Sequence, residues 1–164
     1  MDDNETLCRI KKIMVKTCSK LEFELINASK NGDLEVVKFL IHPPPEGAGV
    51  NINAKDENGC TPLMTASVNG HIEIVKFLLN SRIEGVECAD IDARDEDEET
   101  ALMYATSFVR LGIIKLLLTE GADSDAKNND GDTFLDYIDD PRLREELREF
   151  AHRIRYRNIK GAER

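Results

Sequence analysis

Tryptophan is absent from this 164-residue chain and aromatic residues make up only 5% of it, so a core must be built from aliphatic side chains. No apolar run approaches the roughly 20 residues that a membrane-crossing helix needs. Cys8, Cys18, Cys60 and Cys88 form no Cys-x-x-Cys pair and have no histidine at metal-ligand spacing. Scattered in this way, they point to reduced thiols rather than to a disulfide framework. The opening Met1-Asp2-Asp3-Asn4-Glu5 is acidic, unlike a signal or transit peptide, and the expectation is a cytoplasmic protein. There is no Gly-x-Ser-x-Gly, no His-Glu-x-x-His and no phosphate-cradling glycine loop. The three histidines, His42, His71 and His152, stand far apart. The expectation is therefore no enzyme, no cofactor and no metal.

Charge of one sign is scarce over most of the length. Residues 1–140 hold 14 Lys and Arg against 28 Asp and Glu, whereas residues 141–164 hold 8 against 4. An acidic body argues against nucleic acid as a partner, because phosphates must be neutralised by Lys and Arg on the contact face. At this length the chain makes one domain, expected to be a monomer.

What is present is a recurring apolar hexad. It runs Leu34, Val36, Val37, Phe39, Leu40, Ile41, then Ile72, Ile74, Val75, Phe77, Leu78, Leu79, then Leu111, Ile113, Ile114, Leu116, Leu117, Leu118. A lysine sits at one place inside each copy, as Lys38, Lys76 and Lys115. Self-similarity of this kind marks stacked supersecondary units, none of which buries its apolar face alone. The clearest unit opens with Asp56-Glu57-Asn58-Gly59-Cys60-Thr61-Pro62-Leu63. Asn-Gly signals a turn, the Thr61 hydroxyl caps a helix, and Pro62 suits the first helical position, where no amide donor is required. Small Ala66 and Ser67 let a neighbouring helix approach, Asn69-Gly70 breaks the helix, and a second helix follows over 72–79.

This pattern resembles the ankyrin repeat. The matching residues are Asn58 to Ala66, then Asn69-Gly70-His71-Ile72-Glu73-Ile74-Val75-Lys76-Phe77-Leu78-Leu79. The third unit repeats it as Thr100-Ala101-Leu102-Met103-Tyr104-Ala105 and Ile113 to Leu118, closed by Glu120-Gly121-Ala122-Asp123. A partial first unit carries Leu25, Ala28, Asn31-Gly32-Asp33-Leu34, and a fourth begins at Asn129-Asp130-Gly131-Asp132-Thr133-Phe134-Leu135. The resemblance implies an all-α solenoid of stacked helix-turn-helix units joined by hairpin loops, with units near 22–55, 56–94, 95–127 and 128–140 onward. It also gives His71 a structural role.

Departures from that pattern carry information. The Thr100 to Thr133 step is 33 residues, but Ala28 to Ala66 is 38 and Thr61 to Thr100 is 39, and the surplus falls in 42–49 and in 80–89 respectively, read as exposed loops. Met64 and Met103 stand where the family's Thr-Pro-Leu-His signature has histidine, which predicts looser turns. Val109 and Gly112 replace Gly70 and Glu73, and a glycine inside a helix would make the third unit the softest. At the ends, residues 1–21 read as an amphipathic capping helix with Leu7, Ile10, Met14, Cys18 and Leu21 on one face. Residues 141–164 read as a second cap and basic tail, started by Asp140 and Pro141, with Leu143, Leu147, Phe150 and Ile154 as its apolar stripe.

The resemblance implies a partner protein held on the concave face by hairpin tips and first helices. In this chain those positions are Lys55, Glu57, Asn58, Cys60, Val68 and Asn69; Arg94, Glu96, Asp97, Glu99, Ser107 and Phe108; and Asn129, Asp130 and Asp132, with Lys127, Lys30 and Asn31 at the margins. The acidic run over 90–99 lacks the glycine and glutamate order of a calcium loop. It is either a solvated tip or the electronegative edge of a groove. Phe108 is either an aromatic anchor or, with Val109, a patch over a junction that has lost its glycine. The groove suits a basic, partly apolar segment. The alternative is a targeting module in which Arg142, Arg144, Arg148, Arg153, Arg155 and Arg157 contact an acidic protein or membrane.

Overall fold

The computed structural model describes residues 19–41, 50–80 and 88–162, with side chains as far as 157. The first inserted loop, residues 81–87 of the second and most of the expected N-terminal cap lie outside the described residues, while Ala89 at the end of the second loop is buried rather than exposed. Helix α1 occupies 19–31, followed by α2 (Leu34–Ile41), α3 (Pro62–Asn69), α4 (Ile72–Asn80), α5 (Ala101–Ser107) and α6 (Leu111–Glu120). A four-residue 3-10 turn, η1 (Phe134–Tyr137), precedes α7 (Pro141–Ala162). There is no β-strand among the described residues.

The architecture is an all-α stack in two layers. Helices α3, α5 and η1 pack in sequence as an inner row, while α2, α4, α6 and α7 form the outer row. Buried Ala28, Ala66 and Ala105 lie at equivalent places on the inner helices, where a larger side chain would hold neighbouring helices apart. The recurring hexad supplies the core from the outer row: Val37, Leu40 and Ile41, then Ile74, Val75 and Leu78, then Ile113, Ile114, Leu117 and Leu118 are all buried. Each such side chain removed from water stabilises the fold by about 1.5–3 kcal/mol before chain entropy is counted.

Burial along the hexad is not uniform from unit to unit. Ile74 and Ile113 are 1% and 2% exposed, whereas Val36 at the same place in α2 is 38% exposed and Phe39 is 66% exposed. Later units hide these positions against the preceding outer helix; the first unit has no such neighbour among the described residues.

Local chemistry sets the helix ends. Thr61 and Thr100 are N-caps, their hydroxyls accepting from Met64 N at 3.3 Å and Met103 N at 3.4 Å. Met64 also turns its sulfur to the Thr61 amide at 3.3 Å, and both methionines are buried. The first of these turns is therefore closed from both sides, contrary to the looseness expected from its missing histidine. Gly121 ends α6 in the left-handed conformation, bonding back to Leu117 and Leu118 carbonyls. The fourth unit's first helix shrinks to η1 because Asp139-Asp140-Pro141 follows at once, and the residue before a proline avoids the helical region. Asp140 then caps α7, accepting from Arg142 N at 2.9 Å.

Gly112 is not in a helix interior, as the sequence suggested, but second in α6, where a Cβ would lie 3.3 Å from Ile72 Cδ1. It serves close approach between α4 and α6. The third unit's strain sits elsewhere, in Glu98 (φ 61°) and Val109 (φ 51°), the two non-glycine residues with positive φ among those described.

Candidate functional site

The hairpin tips are assembled by the same hydrogen bonds in successive units. Each tip loop is closed by one side chain: Asp56 Oδ1 accepts from Asn58 N and Cys60 N, both at 2.9 Å. Asp95 Oδ1 accepts from Asp97 N and Glu99 N at 2.9 and 2.8 Å, and Asn128 Oδ1 from Asp130 N and Asp132 N at 3.0 and 2.9 Å. Backbone bonds stack the tips on one another, Glu96 N on Asn58 O at 3.1 Å and Asn129 N on Asp97 O at 3.0 Å. Basic side chains add a second tie: Lys55 Nζ donates to Arg94 O at 2.7 Å, and Arg94 donates to Lys127 O at 3.0 Å as well as to Glu98 at 2.8 Å.

A third tie runs beneath the tips. Asn53 Oδ1 accepts from Asp90 N and Asp92 Oδ1 accepts from Asp123 N, each at 2.8 Å. One unit does with an amide what the next does with a carboxylate. Burial, first of all, pushes the Asp92 carboxyl above the usual range, and Asp123 and Asp90 add repulsion against the relief given by the Asp123 amide. A carboxyl whose folded pKa is raised holds its proton more tightly in the fold, so its charge costs stability above that pKa and the cost vanishes below the unfolded value, about 3.9. Asp92→Asn should therefore stabilise the protein at neutral pH by a few tenths of a kcal/mol, the side chain being only half-buried and its charge partly screened. The gain should shrink as pH falls through the raised pKa, which urea midpoints at neutral and acid pH would show. A variant less stable at neutral pH would mean that the carboxylate itself is required.

On the other end of the inner helices, His71 Nε2 donates to Lys30 O at 3.0 Å, with its ring over Gly32. Arg110, at the equivalent place one unit on, lies over Gly70 and donates from Nε to Val68 O at 3.1 Å. The structural role assigned to His71 is thus visible, and Arg110 shares it.

Between tips and turns lie two tyrosines that the sequence reading overlooked. Tyr104 donates to Asp95 Oδ2 at 2.6 Å and lies 3.3 Å from Cys60 Sγ. Tyr137 donates to Glu99 Oε1 and accepts from Asn128 Nδ2 at 2.9 Å. Thr65, Tyr104 and Tyr137 fall at the same step after Thr61, Thr100 and Thr133, and that shared offset was the signal available. Burial, then the hydrogen bonds to Asp95 and Glu99, push both phenols well above their usual range, so each stays a donor. Burial likewise pushes the Cys60 thiol up, which keeps it protonated and a poor nucleophile.

The residues named from sequence therefore divide by what they touch. Lys55 and Arg94 are spent on carbonyls of the next unit. Asn69 bonds to Thr65 O, Ser107 to Met103 O, and Asn129 to Glu96 O. Cys60 and Glu99 are half-buried against the tyrosines, and Val68 is half-buried. Glu57, Asn58, Glu96, Asp97, Asp130 and Asp132 are exposed on three successive tips, as is Phe108 at the far end of α5. Among the described residues the side chains of Glu57, Glu96, Asp97, Asp130 and Asp132 form no ion pair.

The basic helix is drawn onto the body. The Leu143, Leu147, Phe150 and Ile154 stripe faces inward. Arg144 donates to Ile138 O, Arg148 to Glu145 and Arg155 to Asp125, while Arg153 lies over the Phe150 ring. Arg142 and Arg157 point to solvent. No described helix is long and apolar enough to cross a membrane.

A family model described as ankyrin repeats, in three copies, matches residues 25–128. No curated protein matches the chain. Ankyrin repeats are in general modules that bind other proteins, and the family is typically non-catalytic. With paired helices stacked in register, tips tied by one repeated set of hydrogen bonds, and a model match over most of the length, this chain belongs to the ankyrin-repeat family.

Proposed function

We propose that this protein holds a basic, partly apolar segment of another protein in its concave groove, as an adaptor, scaffold or competitive inhibitor without chemistry of its own. The observation that carries the reading is the asymmetry of the tips. Two of their cations, Lys55 and Arg94, are turned along the stack to bond carbonyls and only Lys127 is left exposed beside them, while five carboxylates stand exposed on three tips without a salt-bridge partner among the described residues. Charge arranged in this way steers a basic partner and sets its association rate more than its final affinity. The cytoplasm, where scattered cysteines stay reduced, is the compartment that goes with this reading.

The test is charge reversal at Glu96, Asp97 and Asp130, exposed positions whose loss leaves the tip-closing Asp95 and Asn128 intact. Partners captured by the wild type and lost by the triple variant are identified by mass spectrometry and then measured as purified pairs. The expected outcome is an association rate lower by about tenfold or more at low salt, with the difference closing as ionic strength rises. Equal rates and equal salt dependence for the two proteins would remove the acidic groove from the account.

A further inference from the structure

The α5–α6 turn violates two rules of its own fold at once. In the two preceding turns the left-handed residue is glycine, Gly32 at φ 87° and Gly70 at φ 85°; here it is Val109 at φ 51°. A β-branched residue in that region is strained by contact between its Cβ and the backbone. The backbone bonds do not demand it. Val109 N reaches Thr106 O at 2.9 Å and Arg110 N reaches Ala105 O at 2.8 Å, as Gly70 N reaches Ser67 O and His71 N reaches Ala66 O.

The same turn also exposes apolar surface. Phe108, Val109 and Leu111 are 57%, 52% and 39% exposed, where the preceding turn presents Asn69, Gly70 and a half-buried Ile72. Strain and solvent-exposed apolar surface both work against folding, and both coincide within four residues next to the groove. Backbone strain and exposed apolar surface at one spot point to a binding role for it.

We infer that Phe108, Val109 and Leu111 form an apolar seat that receives a bulky apolar side chain from the same partner segment whose basic residues face the tips. This rests on the groove reading and adds a spacing rule to it. Helix α5 separates the acidic tip from the seat and has 7 residues, hence a length of about 10 Å. An extended partner covers that distance in about three to four residues. The occupant is a peptide segment with a basic cluster and an apolar residue set apart by that interval.

The probes are synthetic peptides with a Lys-Arg-Lys cluster and a Leu-Phe pair, separated by about one, four or eight Gly/Ser residues to bracket the distance. Binding is read by fluorescence polarisation, and stability by thermal unfolding. The intermediate spacer should bind most tightly to the wild type. Val109→Gly and Val109→Asn both relieve the left-handed strain, so each should raise the unfolding midpoint by about 2–4 °C while weakening that peptide by about tenfold. Gain of stability with loss of binding is an outcome a purely structural valine cannot give. A lower midpoint in both variants would show Val109 packing the junction and overturn the inference. So would unchanged affinity, or indifference to spacer length. Charge reversal at Glu96 and Asp97 should weaken every spacer alike. If it does so while Val109→Gly leaves binding intact, the apolar seat alone fails; if it has no effect, the groove reading fails with it.

Discussion

Phe134→Ala is expected to destabilise the protein by about 3–5 kcal/mol, the largest effect of any single truncation proposed here. Phe134 is 1% exposed and is the largest of the fully buried side chains among the described residues. It belongs to η1, which has only four residues and cannot persist by backbone hydrogen bonding alone. The turn packs on α5 and on α7, and Phe134 itself lines a cleft with Leu135, Ala151 and Arg155. Removing it leaves a void at the junction of the fourth unit and the cap. Because each unit of a solenoid contacts only its neighbours, the damage should be local. Amides of η1 and α7 should lose hydrogen-exchange protection first, while those of α3 and α4 keep theirs. A loss below about 1.5 kcal/mol would show that the site collapses freely, and uniform loss of protection would show a stack that unfolds as one body.

Gly32→Ala is the second large effect, at about 2–3 kcal/mol from two sources. At φ 87° an alanine is strained, and its Cβ would stand 2.7 Å from Cε1 of His71. The imidazole must move, and with it goes the bond from Nε2 to Lys30 O that ties the second unit to the first. A double-mutant cycle separates the terms. In a His71→Ala background the same glycine change should cost only the strain, about 1–2 kcal/mol, so the two single losses should add to more than the double loss. Strict additivity would mean that the ring and the glycine do not meet.

Much of the local structure was legible because it depends on residues a few positions apart. Thr61 and Thr100 announce helix starts, Asn69-Gly70 announces a break, and Gly121 announces an end, each through chemistry completed within one turn. The ties between units were not legible. Lys55 reaches a carbonyl 39 residues away, Arg94 one 33 away, and Tyr104 approaches a thiol 44 away. Periodicity says which positions recur, but not how far each unit slides and turns against the next. For that reason Lys55 and Arg94 read as recognition residues in sequence and as ties along the stack in space. Val109 shows the converse: its place in the repeat was readable, but strain is a property of a dihedral angle that only the folded turn fixes.

By itself the sequence determined the unit of construction: two helices, a capped start, a turn, and an aliphatic ridge repeated three times. Only the tertiary structure decided which of those ridges is hidden. Phe39, Phe77 and Leu116 hold one place in the repeat, yet Phe39 is 66% exposed while the other two are half-buried. The physical reason is that burial belongs to a pair of surfaces. An apolar side chain leaves water only where a neighbouring helix is present to cover it, and a repeating pattern cannot say which of its copies has that neighbour.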